Sequence, residues 1–290
     1  DALLSLLFTA ALLGSFDAWQ RHSRKRLILA FAALALAVLT KGLMALLLFV
    51  GVWTIFVFLR WRTDGRHAVR FLLQPLPWAT FFVVAVPWHL AAALEYPDFP
   101  WTYFWNEHVL RFLGQRIPQD TYSGSPLYYL PRVVLLFFPW IVFVPVALRR
   151  RAEKTGNGAT VFGAVATLCV LAFFSIAAAK ANYYVALALP FASVWLATRL
   201  GGLAEPRRRE LAVTAVLTVM MLAAGVWAVT QEVKWATVIA RGHWHTVSLS
   251  AVLLAIALAA AVCVRRGYLN LWLLPALATV TLLALALAVN

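Results

Sequence analysis

The stretch PDFPWTYFWNEHVLRFLGQR, residues 97–116, brings Glu107, His108 and Arg111 within about one helical turn of each other, among aromatic rings. Asp98 suits an N-cap and Pro100 a first turn, and no proline or glycine follows until Gly114, so the spacing predicts a helix. On that helix Trp101, Phe104, Trp105, Val109 and Phe112 supply apolar contacts, while Glu107 and Arg111 stand four apart on one face with His108 beside them. An amphipathic helix of this kind lies along a membrane surface.

The rest of the chain supplies the membrane. Of 290 residues 63% are hydrophobic and 12% charged, about half the charged share of a soluble domain, so the apolar surface cannot all be hidden from water in a core. Apolar runs near the ~20 residues needed to cross a bilayer recur at 2–19, 27–40, 43–59, 71–93, 127–148, 160–178, 183–197, 211–230, 247–264 and 268–289. The fold class expected is therefore all-α, a polytopic transmembrane bundle of about ten spans. Residues 1–290 form its transmembrane domain, and residues 94–126 form an outer loop carrying the amphipathic helix.

Charge sorts the connections into two sides. Arg21, Arg24, Lys25 and Arg26, Arg60, Arg62, Arg66 and Arg70, Arg149, Arg150, Arg151 and Lys154, Arg199, Arg207, Arg208 and Arg209, and Arg265 and Arg266 fall on one. Only Lys41, Arg111, Arg116, Arg132, Lys180, Lys234 and Arg241 fall on the other. The positive-inside rule makes the richer side cytoplasmic, so the net charge of +14 reads as topology and not as a nucleic-acid surface. Both chain ends then face outward. The chain opens on an apolar run with no basic leader, so no signal peptide is read and an odd number of spans is expected upstream. Cys169 and Cys263 lie inside apolar runs and read as small buried hydrophobes.

On the outward side, Thr40 and Asn182 mark tight turns and 94–126 is the long connection. Lys41 and Lys180 each end a span there and read singly as snorkelling lysines, as Tyr183 and Tyr184 read as an aromatic belt. The Glu107–Arg111 pair alone is an i,i+4 ion pair worth ~0.3–0.5 kcal/mol. The functional reading is that Lys41, Arg111 and Lys180 converge on one anion at the headgroup level, with Glu107 and His108 orienting them. Asp1, at the head of the first span, is either a catalytic carboxylate or an exposed terminus. His243 and His245 have a spacing that suits metal but no third ligand nearby. No Gly-rich phosphate loop, Ser/His/Asp order or cysteine pair is present.

Four stretches carry a family likeness: LTKGLMALLLFVGVW from Leu39, VPWHLAAALEYPDFPWTYFWNEHVLRF from Val86, SPLYYLPRVVLLFFPW from Ser125 and FFSIAAAKANYYVALALPFASVWLA from Phe173. Together they resemble the polytopic GT-C glycosyltransferases that use polyprenyl-phosphate sugars, above all the aminoarabinose transferases of lipid A, with the protein O-mannosyltransferases behind them. Past about Leu200 only hydropathy is shared. The resemblance implies thirteen spans with a cytoplasmic N-terminus, so that Asp1 opens the fourth. It also implies a catalytic acidic residue in a first outer loop that precedes this sequence, so the sequence alone would be inactive. Asp1 looks like a second acidic position, and Lys41, Arg111 and Lys180 match basic positions near the lipid-phosphate pocket, supported by Glu107, His108, Tyr183 and Tyr184. Relatives commonly read His-Glu-His where this chain reads Asn106, Glu107 and His108, which puts in doubt a metal site using the first histidine. No cofactor is assigned and a divalent metal is left open.

The chemistry implied is attack of an acceptor oxygen on the anomeric carbon of a hexosyl or pentosyl donor, with inversion and departure of polyprenyl phosphate. The acceptor is lipid A, another glycan or a protein hydroxyl, and only a hydroxyl needs a strong general base. The place implied is a bacterial inner membrane, with the active site toward the periplasm and membrane lipids as the other contacts. A transporter or flippase for a lipid-linked anion is the alternative, but coupled carriers place acidic groups at mid-membrane, and the acidic residues here lie at or beyond the span ends, with Asp17 the most interior. A non-catalytic scaffold of similar hydropathy is a third reading.

Overall fold

The computed structural model describes residues 2–119, 123–137, 140–149 and 158–200. The expected spans at 211–230, 247–264 and 268–289, along with Asp1, His243 and His245, lie outside the described residues. Among the described residues the α-helices are α1 (Ala2–Gln20), α2 (Arg24–Lys41), α3 (Met44–Leu59), α4 (Arg66–Leu72), α5 (Pro75–Glu95), α6 (Arg111–Leu113), α7 (Leu130–Leu136), α8 (Val144–Arg149), α9 (Gly158–Ile176) and α10 (Leu189–Leu200). A π-helical segment, Trp101–Leu110, runs directly into α6, and short 3-10 turns occupy Pro126–Tyr129, Trp140–Phe143 and Asn182–Ala188.

Four helical runs are long and apolar enough to cross a bilayer: Ala2–Gln20, Pro75–Glu95, Gly158–Ile176 and Asn182–Leu200. Met44–Leu59 with Trp61–Leu72, bent by 96°, is a fifth if the pair is one span. Large side chains such as Phe58, Val83 and Leu94 remain more than two thirds exposed, a surface that suits lipid and not water. α2 spans more than the short run expected from hydropathy, because its first turn is made of Arg24, Lys25 and Arg26. The expected run at 71–93 is two helices, parted at Leu73 and Gln74, where Pro75 opens α5. The expected run at 127–148 is divided too: Pro131 and Pro145 each sit in the first turn of a short helix, where a missing N–H costs no intrahelical bond.

The chain forms two compact units. In the first, residues 1–136 and 152–198, small residues set the helix approaches. A Cβ at Gly14 would sit 3.4 Å from that of Ala30, so α1 and α2 meet closely, and one at Gly163 would press on the backbone of Phe191 and Trp195. Phe16 stacks on Phe162 at 4.5 Å, with Phe56 edge-on to both and Trp53 tilted against Phe162. Ser15 donates to the Leu12 carbonyl and accepts from Trp53 Nε1, which pairs both buried groups, whereas the neighbouring Trp19 Nε1 is buried without a hydrogen-bond partner. Asp17 joins α1 to α2 by pairing with Arg21 and Arg26. In the second unit, residues 137–151 and 199–290, Arg199 Nε donates to the Ala147 carbonyl at 3.0 Å.

Candidate functional site

The turn between α2 and α3 is built on Gly42, whose φ of +96° is one that side chains rarely tolerate. A Cβ there would also collide with His108 Nε2. That nitrogen accepts the backbone N–H of Leu43 at 2.8 Å, so the imidazole carries its proton on Nδ1, which donates to the Tyr103 carbonyl. The Tyr103 hydroxyl donates to His89 Nε2 at 2.8 Å, and His89 Nδ1 donates to the Ala85 carbonyl at 2.7 Å. Burial pushes the Tyr103 phenol up to about 12, which keeps that hydroxyl protonated at neutral pH. A continuous chain of hydrogen bonds therefore ties α5, through the π-helical segment, to the turn that carries Lys41.

The expected helix forms, but π-wound and beginning after Pro100, with no side-chain cap. Its rings at Trp101, Phe104 and Trp105 are 40–52% exposed, as lipid-facing anchors would be. Glu107 takes Arg111 at 3.0 Å, as the spacing predicts, and also Arg116 at 2.6 Å, which it does not. Burial alone would raise the Glu107 pKa, but the hydrogen bond and charge of Arg116, with those of Arg111, outweigh it and hold the carboxyl below its ordinary value. Arg116 is returned to Glu107 by Asn106, whose buried side-chain amide clamps both backbone groups of Ile117, at 2.6 and 2.9 Å. Asn106 is thus used as a loop clamp. Among the described residues no group of three His, Cys, Asp or Glu side chains is placed to hold a metal.

The segment ends at Gly114, with φ +76°, and docks on the turn after α9: the Phe112 carbonyl accepts Ala178 N–H at 2.9 Å. Lys180 lies in that turn. The residue is 4% exposed, and its ammonium donates to the carbonyls of Phe174, Ser175 and Ala177 at 2.9, 2.7 and 2.6 Å, which caps the negative end of α9. Burial pushes its pKa down. Gly124 and the Tyr129 ring pack around it, and Ser123 bridges the preceding Ala179.

The residues singled out from the sequence thus stand on turns held together by the segment 106–114, with their side chains differently employed. Lys41 Nζ stands 5.7 Å from the centre of the Tyr183 ring. Arg111 stands on Glu107, and Lys180 turns inward onto α9. Tyr183 and Tyr184 line a cavity of about 580 Å³ together with Ser5, Thr9, Met44 and Phe174, a volume in the range of small-molecule sites. Ala2, which follows Asp1, also lines it. His89, Tyr103, Asn106 and Arg116 were not anticipated; the only sequence signal for them is polarity within an otherwise aromatic and aliphatic stretch.

No family model matches the chain. Over 265 residues it is 30% identical to undecaprenyl phosphate-alpha-4-amino-4-deoxy-L-arabinose arabinosyl transferase 1 of Pseudomonas fluorescens, covering 89% of this chain and 47% of that protein. A Proteus mirabilis transferase of the same name, numbered 2, is 34% identical over 198 residues, covering 66% of this chain and 34% of its own. The crystal structure of ArnT from Cupriavidus metallidurans bound to undecaprenyl phosphate superposes with a TM-score of 0.71 at 24% identity, over 99% of this chain and 51% of ArnT. The fold is that of ArnT. Its sequence relatives are aminoarabinose transferases. The chain spans about half or less of the length of the curated relatives it matches.

Proposed function

We propose that the chain is the membrane part of a glycosyltransferase that moves aminoarabinose from undecaprenyl phosphate to lipid A at the periplasmic face of a bacterial inner membrane. The carrying observation is the apolar cavity under Tyr183 and Tyr184 with Lys41 at its Tyr183 edge, in a fold whose solved relative holds undecaprenyl phosphate. Prenyl chain and cavity match in polarity, and a phosphate at the bilayer surface meets fixed cations.

In this reading Lys41 and Arg111 take the negative charge that grows on the departing phosphate as the acceptor oxygen attacks the anomeric carbon. Such a preorganised donor is worth ~2.7–4 kcal/mol in a poorly hydrated site. Glu107 keeps Arg111 extended, His108 fixes the Lys41 turn through Leu43, and Lys180 fixes the turn that bears Tyr183 and Tyr184. Asp1 is the candidate carboxylate. An acceptor that is itself a phosphate arrives ionised and asks little of a base.

The test uses the full-length protein, reconstituted with donor and lipid A. Lys41→Ala and Arg111→Ala are each expected to cut transfer at least about tenfold, the effect of losing 1.4 kcal/mol of transition-state stabilisation. Wild-type turnover in both would overturn the phosphate assignment.

A further inference from the structure

The stretch SPLYYLPRVVLLFFPW carries a second cationic arrangement that the donor pocket does not use. Arg132 Nε donates to Asn182 Oδ1 at 2.7 Å, its NH1 donates to the Tyr128 carbonyl at 2.6 Å, and its guanidinium carbon stands 3.4 Å from the centre of the Tyr128 ring. The Tyr128 hydroxyl donates to the same Asn182 oxygen at 2.6 Å. Among the described residues Arg21, Arg26, Arg60, Arg111 and Arg116 each pair with a carboxylate, whereas Arg132 is held by neutral groups only. Its charge is therefore fixed in position with no carboxylate partner among the described residues.

The geometry of Asn182 adds to this. Two donors, the Tyr128 hydroxyl and Arg132 Nε, meet its carbonyl oxygen, which holds the amide in one orientation. Asn182 is exposed and Arg132 half-buried. Nε and NH1 of Arg132 each give one bond to a neutral oxygen, so further N–H groups of its guanidinium remain beside the exposed Asn182, a charged donor fork that suits the oxygens of a phosphate. Adjacent residues of one 3-10 turn thus meet two different cations, Lys41 over the ring of Tyr183 and Arg132 on the amide of Asn182. A transfer reaction between two phosphorylated lipids needs two such anion sites.

We propose that Arg132 and Asn182 bind the phosphate of the acceptor lipid, leaving Lys41 and Arg111 to the donor. The proposal rests on the transferase reading above. Steady-state kinetics of the full-length enzyme in phosphatidylcholine liposomes, varying lipid A at saturating donor and then the converse, tests it. Arg132→Gln and Asn182→Ala are each expected to raise the KM for acceptor, by about tenfold for the arginine, and to leave the KM for donor within about twofold. Arg132→Lys is expected to recover part of the loss, since it keeps the charge without the fork. An unchanged acceptor KM, or a rise in donor KM instead, overturns the assignment. Adding phosphatidylglycerol separates the other source of phosphate: an activation present in wild type and absent in Arg132→Gln, with equal acceptor KM in pure phosphatidylcholine, makes the site one for bulk phospholipid and also overturns it. Failure of wild type to transfer at all strikes the transferase reading; binding of fluorescent lipid A to wild type and Arg132→Gln then decides this site separately.

Discussion

Replacing Lys180 by Met keeps the length and apolar stem of the side chain and removes the ammonium. Three carbonyls at the end of α9 lose a charged donor, and hydrogen bonds to charged groups contribute ~1.5–3 kcal/mol each. Against this stands the cost of holding the charge out of water, the same burial that lowers the pKa of Lys180. Buried acceptors left without a donor cost ~1–3 kcal/mol each, and removing the buried charge offsets part of this, so a net loss of about 2–4 kcal/mol is expected. The pH signature has a definite sign. Because the folded pKa lies below the unfolded one, the unfolded chain binds more protons between the two, and wild-type stability gains from this group as pH rises through that alkaline window. The Met variant lacks that gain. Chemical denaturation of the full-length protein in detergent measures both, beside transfer activity on the same preparation. Full stability with abolished transfer would refute this reasoning and would make Lys180 a direct ligand of substrate.

Gly42→Ala meets both a left-handed φ and His108 Nε2, so ~1–3 kcal/mol of strain and a weakened α2–α3 turn are expected; an unchanged denaturation midpoint would contradict the His108 contact. Glu107 has a folded pKa below its unfolded one, so its hold on Arg111 and Arg116 is present above the usual glutamate range near 4.3 and is lost as pH falls through the lowered value. Protection of the amides in residues 106–117, relative to the intrinsic exchange rate at each pH, should therefore fall on acidification in wild type, and Glu107→Gln should show the reduced protection already at neutral pH. Asn106→Ala opens the clamp on Ile117 and should cost about 1–3 kcal/mol with proteolysis of the loop near Arg116; resistance equal to wild type would count against the clamp.

The helices were largely legible because hydropathy and length decide them: α1, α3 and α9 fall within a few residues of the apolar runs. In 71–93 and 127–148 the prolines mark where the backbone breaks, but hydropathy alone does not show that Pro75 opens a fresh helix or that Pro131 and Pro145 each begin a short one. In the candidate site, the Glu107–Arg111 pair follows from helical spacing alone. Arg116 and Asn106 do not, since a contact nine or eleven residues away depends on how the chain turns back after Gly114. The direction of Lys180 was equally hidden: a lysine at a span end reads the same whether it reaches outward to a phosphate or folds back onto the carbonyls behind it. His89 and Tyr103 sit in an aromatic stretch, where only the structure shows the hydrogen-bonded chain through His108 to Leu43.

The central claim is that this end of the bundle recognises a phosphate on a prenyl chain. Binding of undecaprenyl phosphate and of undecaprenol, identical but for the phosphate, to the full-length protein in nanodiscs tests it most directly. The account predicts that the phosphate form binds at least about tenfold tighter, and that Lys41→Ala with Arg111→Ala removes that preference while leaving undecaprenol binding unchanged. Equal affinity of the wild-type protein for the two lipids would contradict it.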